Sequence, residues 1–181
     1  MIKPGTLLVA HPKFTQGIFG RSVVLVTEHH SEGTVGFIIN KPTQFKVKHI
    51  IENVYLDEIA EQTVYSGGPV NPRAVCLLHS DEWYSSNTMQ ITAGVAITSD
   101  RFMIDKFNTG NTPCKYMISV GMASWHPGQL DNELTENNAS GHALWLTTEL
   151  KDHKLILDYP KNHLWNRCLD ICTQEIVSQY F

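Results

Sequence analysis

The stretch Ser22–Asn40, SVVLVTEHHSEGTVGFIIN, decides how this chain begins to fold. Its first part is a run of Val and Leu, and its last part contains Phe and two Ile in succession, so each part predicts a strand that is covered on both faces. Residues 31–34 between them are polar and include a glycine, which is typical of a hairpin loop. The core is therefore expected to start with an antiparallel pair of strands.

Outward from this hairpin, strand and helix signals follow in an irregular order. Further apolar runs predict strands at Thr6–Ala10, Ala74–His79, Met89–Thr98, Tyr116–Met122, Ala143–Thr148 and Lys154–Leu157. Helical spacing of apolar residues predicts helices over Lys46–Tyr55, Ser99–Gly110 and Gln129–Asn137, and from Asn162 to the end of the chain. An early hairpin without regular strand–helix–strand alternation favours an α+β fold.

The length and composition of the chain limit the classes of protein to which it can belong. With 181 residues and 42% hydrophobic content, we expect one domain, residues 1–181, with a well-buried core. The 14 basic and 18 acidic residues give a formal net charge of -4, which disfavours a general nucleic-acid or membrane-surface binder. The first residues lack the basic segment and apolar stretch typical of a secretory signal, and no apolar run approaches the roughly 20 residues that cross a bilayer, so we expect a cytoplasmic protein without a membrane segment.

The four cysteines are expected to be reduced thiols. Cys168 and Cys172 lie four residues apart in the last predicted helix, where they would share its buried face as small apolar groups. Half of a metal site or a redox pair is the alternative, but no second CxxC or HxxxH supplies the remaining ligands. The chain is therefore predicted to hold no metal and no cofactor.

Several uncommon motifs occur along the chain in order: GTLLVAHP at 5–12, FGRSVVLVTEHHSEGTVGFIINKP at 19–42, VYSGGPV at 64–70 and VGMASWHPGQLDNEL at 120–134. Together they resemble the AlgH/YqgE-like family over nearly the whole length. The resemblance implies a single α+β domain with a mixed, strongly curved, barrel-like sheet and peripheral helices. It also implies a C-terminal strand pair, with 145–147 in one strand and 152–155 in the other.

The same resemblance says little about activity, because the family has no established one. Its members are described as transcriptional regulators from a phenotype association rather than from a DNA-binding motif. Where the family has GYAGWGPGQLE, this chain has Met122, Ser124 and His126 in place of the Tyr and two Gly. Ligand geometry at that turn is therefore not carried over.

The candidate binding residues stand at junctions that follow apolar runs, where a rigid scaffold presents loops to solvent. Trp125, His126 and Gln129 precede or open a predicted helix, whose free N–H groups would suit an anion; the alternative is a helix start held by tryptophan packing. Ser66, Gly67 and Gly68 invite comparison with a phosphate loop. They lack the GxxxxGK[ST] spacing, so a tight turn between close backbones is favoured.

Two further candidate residues at these junctions, Lys41 and Arg21, have cationic side chains. Asn40 and Lys41 end a predicted strand, and Lys41 is either solvated or contributes one charge to a ligand. Arg21 could bind a carboxylate or phosphate through two parallel hydrogen bonds, but an ion pair with an acidic side chain is favoured. His11, His29 and His79 also end apolar runs, so one pole of the sheet could collect two or more of them.

These residues support two functions from different classes. The first is a domain that binds a small anionic ligand where residues 40–42, 66–69 and 124–129 meet. The alternative is a regulatory or interaction protein that acts through protein partners. Direct DNA binding is disfavoured because there is neither a helix-turn-helix pattern nor a basic stripe. An enzyme is not favoured, since no GxSxG elbow is present and Ser80 and His79 are strand neighbours that point to opposite faces.

Overall fold

The computed structural model describes residues 1–15, 17–135 and 140–180. In this part of the chain the strands are β1 Thr6–Ala10, β2 Val23–His30, β3 Gly33–Ile38, β4 Pro42–Lys46, β5 Thr63–Ser66, β6 Val70–His79, β7 Met89–Thr92, β8 Val95–Thr98, β9 Tyr116–Trp125 and β10 Trp145–Glu149. The helices are α1 Val47–Ile50, α2 Asp57–Ala60, α3 Phe102–Asn108, α4 Gln129–Glu133, α5 Lys154–Leu157 and α6 Lys161–Val177. The fold is α+β, as predicted.

One curled sheet organises these elements. Its strand order is β10-β1-β2-β3-β9-β6-β8-β7, and these neighbours are antiparallel, whereas β5 runs parallel to β9 and joins it to β4. The curl brings β7, at one end of this order, close to the start of β1, since a Cβ atom on Gly5, just before β1, would lie 3.4 Å from the Cβ of Thr92 in β7. The sheet is therefore a mixed half-barrel.

Apolar clusters cover both faces of the half-barrel. The inner cluster joins side chains of β1, β2, β3, β6, β8 and β9 to one face of α6, including Cys168 and Cys172. Outside it, Trp125, Leu130 and Trp145 cover β1–β3, and Trp83, Met103 and Phe107 cover β6 and β9. Because β1 and the first five residues of β2 are buried throughout, the prediction of strands covered on both faces is confirmed.

The structure also confirms the hairpin of β2 and β3 and the C-terminal helix with its buried cysteines. Burial raises the pKa of Cys168 to about 12 and that of Cys172 to about 11, so both thiols stay protonated. The described residues include no helix long and apolar enough to span a membrane. Residues 136–137, the predicted end of the helix that starts at Gln129, lie outside the described residues.

Two predicted strands are wrong. Lys154–Leu157 is the helix α5, and its first N–H is held by Asp152, whose Oδ1 lies 2.9 Å from the nitrogen of Lys154. The strand pair implied by the resemblance therefore has only its first member, β10. Met89–Thr98 is a hairpin rather than one strand, because the chain turns at Gly94 with a φ of 81°.

Candidate functional site

Two of the predicted junctions meet where β2 begins and β3 has ended. The side chain of Asn40 accepts the N–H of Val23 at 2.8 Å through Oδ1 and donates to the carbonyl of Arg21 at 3.0 Å through Nδ2. The ammonium of Lys41 donates to the carbonyl of Gly20 at 2.6 Å. Asn40 is thus a structural clamp that places Arg21 beside Lys41, and we call these residues, with Gly20, the Arg21–Lys41 corner.

This corner concentrates positive charge. Burial, and then the charge of Arg21, lower the pKa of Lys41. The guanidinium of Arg21 lies 5.6 Å from the ring centroid of Trp165 in α6, a cation–π contact. Among the described residues neither cation takes part in an ion pair, so the predicted ion pair of Arg21 with an acidic side chain is wrong.

Arg21 also adopts a backbone conformation that L-residues rarely take, with a φ of 55°. A bulky residue in the left-handed region is strained by about 1–2 kcal/mol, and such strain is concentrated at functional sites. The corner is therefore unusual in both its charge and its backbone.

The Ser66–Gly68 segment continues from the corner but forms a close backbone crossing. The nitrogen of Ser66 donates to the carbonyl of Lys41 at 2.8 Å, and that of Gly67 donates to Val120 at 2.8 Å. A Cβ atom on Gly67 would lie 2.3 Å from the carbonyl oxygen of Gly121. These glycines allow two strands to touch, which agrees with the tight turn favoured from the sequence, and the nitrogens of Ser66 and Gly67 are used in backbone hydrogen bonds.

The Trp125–Gln129 junction lies elsewhere. Trp125 pairs with Thr34 near the start of β3, whereas Asn40 follows the end of that strand. β3 has six residues, so the two junctions are separated by about 20 Å of strand. The prediction that residues 40–42, 66–69 and 124–129 meet at one mouth is wrong for the last of the three.

Within this separate junction the predicted ligand residues hold the fold. Trp125 is buried, and its indole N–H donates to Glu133 at 2.9 Å. Gln129 accepts the N–H of His126 at 3.1 Å and donates to Glu133 at 2.9 Å. Because α4 has five residues and Gln129 satisfies one of the N–H groups before it, an anion site here is not supported.

The three histidines that end apolar runs have different partners: β1 and β6 end at the same pole of the sheet, so His11 and His79 share it, but among the described residues the three form no common cluster. His11 stacks with His142 at 5.3 Å, and His29 is exposed with its Nδ1 2.8 Å from the hydroxyl of Thr34. His79 is fully buried between Ser80 and Thr98, and burial lowers its pKa. No group of three metal-ligating side chains is found among the residues described.

Inside the half-barrel is a hollow that the sequence did not indicate. It has a volume of about 310 Å³ and is bordered by β2, β3, β6, β7, β8 and β9. Its walls include Phe37, Met89 and Ile97, and among the described residues Glu28 is the one charged residue that lines it. Since the walls come from six strands that are distant in the sequence, no local motif could have revealed it. The carboxylate makes it unsuitable for an anion.

Comparison with known proteins fits this architecture. A sequence model of the AlgH-like family matches residues 7–177. The chain belongs to the AlgH-like family. A UPF0301 protein of Aliivibrio salmonicida is 32% identical over 172 residues, covering 91% of this chain and 88% of its own. A UPF0301 protein of Verminephrobacter eiseniae is 33% identical over 183 residues, covering 93% and 88%.

Two solved structures share the AlgH-like fold. The solution structure of the AlgH protein from Pseudomonas aeruginosa has a TM-score of 0.76 at 24% identity and covers 91% of this chain and 86% of its own. The crystal structure of protein DIP2367 from Corynebacterium diphtheriae has a TM-score of 0.71 at 22% identity, covering 93% and 86%. At these identities the likeness establishes the fold.

The departures of this AlgH-like chain from the family motif are found on and beside β9. Met122 borders the hollow inside the half-barrel, and Ser124 and His126 are exposed. His126 shares a surface cleft with His29 and His30. None of the three reaches the Arg21–Lys41 corner, so the corner is independent of these departures.

Proposed function

We propose that this protein binds a small, multiply charged oxyanion, such as a phosphate or carboxylate compound, at the Arg21–Lys41 corner. The observation that carries the proposal is a pair of neighbouring cations with no ion-pair partner among the described residues, in a chain whose formal net charge is -4. A bound anion would neutralise both charges. The proposal concerns binding and assigns no reaction.

The chemistry of the two side chains specifies the ligand. The planar guanidinium of Arg21 presents paired donors that match a phosphate or carboxylate, and the ammonium of Lys41 has donors left after its bond to Gly20. Two like charges held together destabilise the free protein, and Arg21 adds backbone strain. Both costs are expected where a site is shaped for a ligand rather than for stability.

The test compares thermal unfolding in pyrophosphate and in chloride at equal ionic strength. Anion binding to the folded state raises its stability by about 2.7 kcal/mol at a hundredfold excess over Kd, which corresponds to a Tm rise of several degrees for a chain of this size. We expect Lys41→Met and Arg21→Asn to abolish the specific rise. Arg21→Asn should also leave the anion-free protein close to the native stability, because Asn tolerates a positive φ.

The matched control is Lys46→Met, since Lys46 is likewise half-buried and donates to Thr63 at 3.0 Å. Multivalent anions stabilise proteins generally by exclusion from their surface, so only a difference between variants counts. Equal rises in all four proteins would refute the proposal. The binding site would instead be the half-barrel hollow if only neutral apolar compounds raised the Tm and if substitutions that fill the hollow abolished that rise.

The remaining residues predicted to bind a ligand lie outside this proposal. Trp125, His126 and Gln129 belong to the other end of β3, and Ser66, Gly67 and Gly68 are used in the backbone crossing. The alternative function, regulation through protein partners, stays a prediction, and it is favoured by a separate observation at the free edge of the sheet.

A further inference from the structure

At one end of the sheet lies β10, and within residues 1–15, 17–135 and 140–180 its only partner strand is β1. The nitrogen of His11 donates to the carbonyl of Leu144 at 2.8 Å, and that of Leu150 donates to the carbonyl of Gly5 at 3.0 Å. In an antiparallel pair, every second residue bonds to the neighbouring strand. Leu146 and Thr148 therefore bond to β1, and the intervening residues point their backbone groups away from it.

Those outward residues are Trp145, Thr147 and Glu149. Within the described part of the chain, no bond from their N–H or C=O groups to another strand, a loop or a side chain is found. An exposed row of unpaired backbone groups is a template for an added strand.

Side chains on both faces of the sheet flank this free edge and form a groove of about 500 Å³. On the outer face stand Ile2 and, from α4 and its end, Asp131 and Leu134; on the inner face α6 contributes Glu175 and Ile176. The side chain of Ile176 is 46% exposed. A strand laid along β10 would alternate its side chains between these two faces, each of which combines apolar side chains with one carboxylate.

The charged side chains that line the groove indicate which kind of segment would bind there. The described residues that line it include the carboxylates of Asp131 and Glu175, no Lys or Arg side chain, and Met1, which carries the α-amino group. Glu175 is already paired with Lys151 at 2.7 Å, whereas Asp131 has no cationic partner among the described residues. A second copy of this chain would bring the same acidic groove to the contact. A basic segment from another protein complements it instead.

We propose that β10 is a docking site for an extended segment of a partner protein, with apolar side chains at alternate positions and a basic side chain near Asp131. The segment adds a strand to the sheet through the backbone of Trp145, Thr147 and Glu149. This proposal is independent of anion binding at the Arg21–Lys41 corner.

The probe is a capped peptide of about seven residues, with alternating isoleucine and threonine and a lysine at each end. Its affinity for the whole protein is measured by fluorescence anisotropy. We expect methylation of the alternate peptide nitrogens that face β10 to weaken binding by about tenfold or more, since two or three hydrogen bonds are lost. Replacing both lysines of the peptide by glutamate should also weaken its binding to the native protein. In the protein, Asp131→Asn should make the affinity for the lysine peptide less dependent on salt.

The protein variant is Thr147→Pro. It removes an N–H that points to solvent, so the pairing of β10 with β1 is kept, and proline is tolerated at such edge positions. Its matched control is Thr147→Val, which keeps the N–H and should bind the peptide like the native protein. If Thr147→Pro fails to fold, the methylated peptide still decides the question.

Three results would overturn the proposal. The first is equal binding of the methylated and unmethylated peptides, and the second is no binding of the lysine peptide to a monomeric protein. The third is a dimer that Thr147→Pro dissociates and that excludes the peptide, because a second copy would then be the occupant.

Discussion

At the scale of single residues, Glu133 joins two buried tryptophans. Its Oε2 accepts the indole N–H of Trp125 at 2.9 Å and that of Trp145 at 2.8 Å, while its Oε1 accepts the amide of Gln129 at 2.9 Å. Both indoles are at most 5% exposed, so neither N–H has water as an alternative partner. Glu133→Ala is expected to lower the free energy of unfolding by about 2–6 kcal/mol, because it leaves two buried indole donors unsatisfied and each costs about 1–3 kcal/mol.

Urea denaturation measures this loss. The control is Glu133→Gln, whose amide oxygen can still face the two indoles, so that only the charge assistance is lost and the cost is about 1 kcal/mol. Similar stabilities for the Ala and Gln variants would contradict the assigned role. The sequence could place Trp125 before a helix, but it could not show that its indole N–H points inward, since Glu133 and Trp145 come from different elements.

At the scale of elements, glycines decide where β5, β6 and β9 touch. A Cβ atom on Gly121 would lie 2.3 Å from the carbonyl oxygen of Gly68, and the φ of Gly121 is 74°. Gly128 has the same φ of 74°, but no atom of the described residues lies within 4 Å of such a Cβ atom. We expect Gly128→Ala to destabilise by about 1–2 kcal/mol through backbone strain alone. Gly121→Ala should lose clearly more, because a strand must also move.

Circular dichroism during thermal unfolding compares the two variants. If Gly121→Ala and Gly128→Ala have equal Tm values, the close crossing does not constrain the fold. A Gly121→Ala protein that is already unfolded at room temperature agrees with the expectation, provided that Gly128→Ala folds.

Strands and helices were predictable from the sequence where most residues are buried and the apolar run is long. β1 and β2 contain unbroken apolar runs and β9 is largely apolar around Ser119 and Gly121, and the sequence located all three. Lys154–Leu157 is only four residues long, and apolar periodicity cannot separate a helix from a strand at that length. β4 and β5 were missed because Pro42–Lys46 is largely exposed and its pairing depends on partners some twenty residues away.

At the scale of the whole molecule, the candidate site depended on which junctions the sheet brings together. β9 is ten residues long and pairs with β3 near its end and with β5 near its middle, so the junctions that follow these strands are divided between two places. This register comes from long-range pairing that no local motif encodes. The sequence therefore identified Arg21, Asn40 and Lys41 as candidates but could not separate them from Trp125 and Gln129.

The stability of the whole fold should depend on pH through His79. Its Nδ1–H donates to the carbonyl of Ser80 at 2.9 Å and its Nε2 accepts the hydroxyl of Thr98 at 2.9 Å, so the neutral ring is fully bonded. Burial lowers the pKa of His79 below its usual 6.5, outweighing the opposing effects of Ser80, Glu82 and Asp81. The unfolded chain then binds the proton more tightly than the folded one, and the free energy of unfolding falls as pH drops below 6.5.

One proton contributes up to about 1.4 kcal/mol per pH unit, and His11, whose pKa is also lowered, adds in the same direction. Carboxylates with lowered pKa values, such as Glu61 and Asp100, lose their stabilisation in a separate range below their usual 4.5 and 3.8. In urea titrations between pH 7 and 5, the free energy of unfolding should therefore fall less steeply with decreasing pH in His79→Gln than in the native protein. An unaltered slope in His79→Gln would mean that the buried ring does not limit the stability of the fold in mild acid.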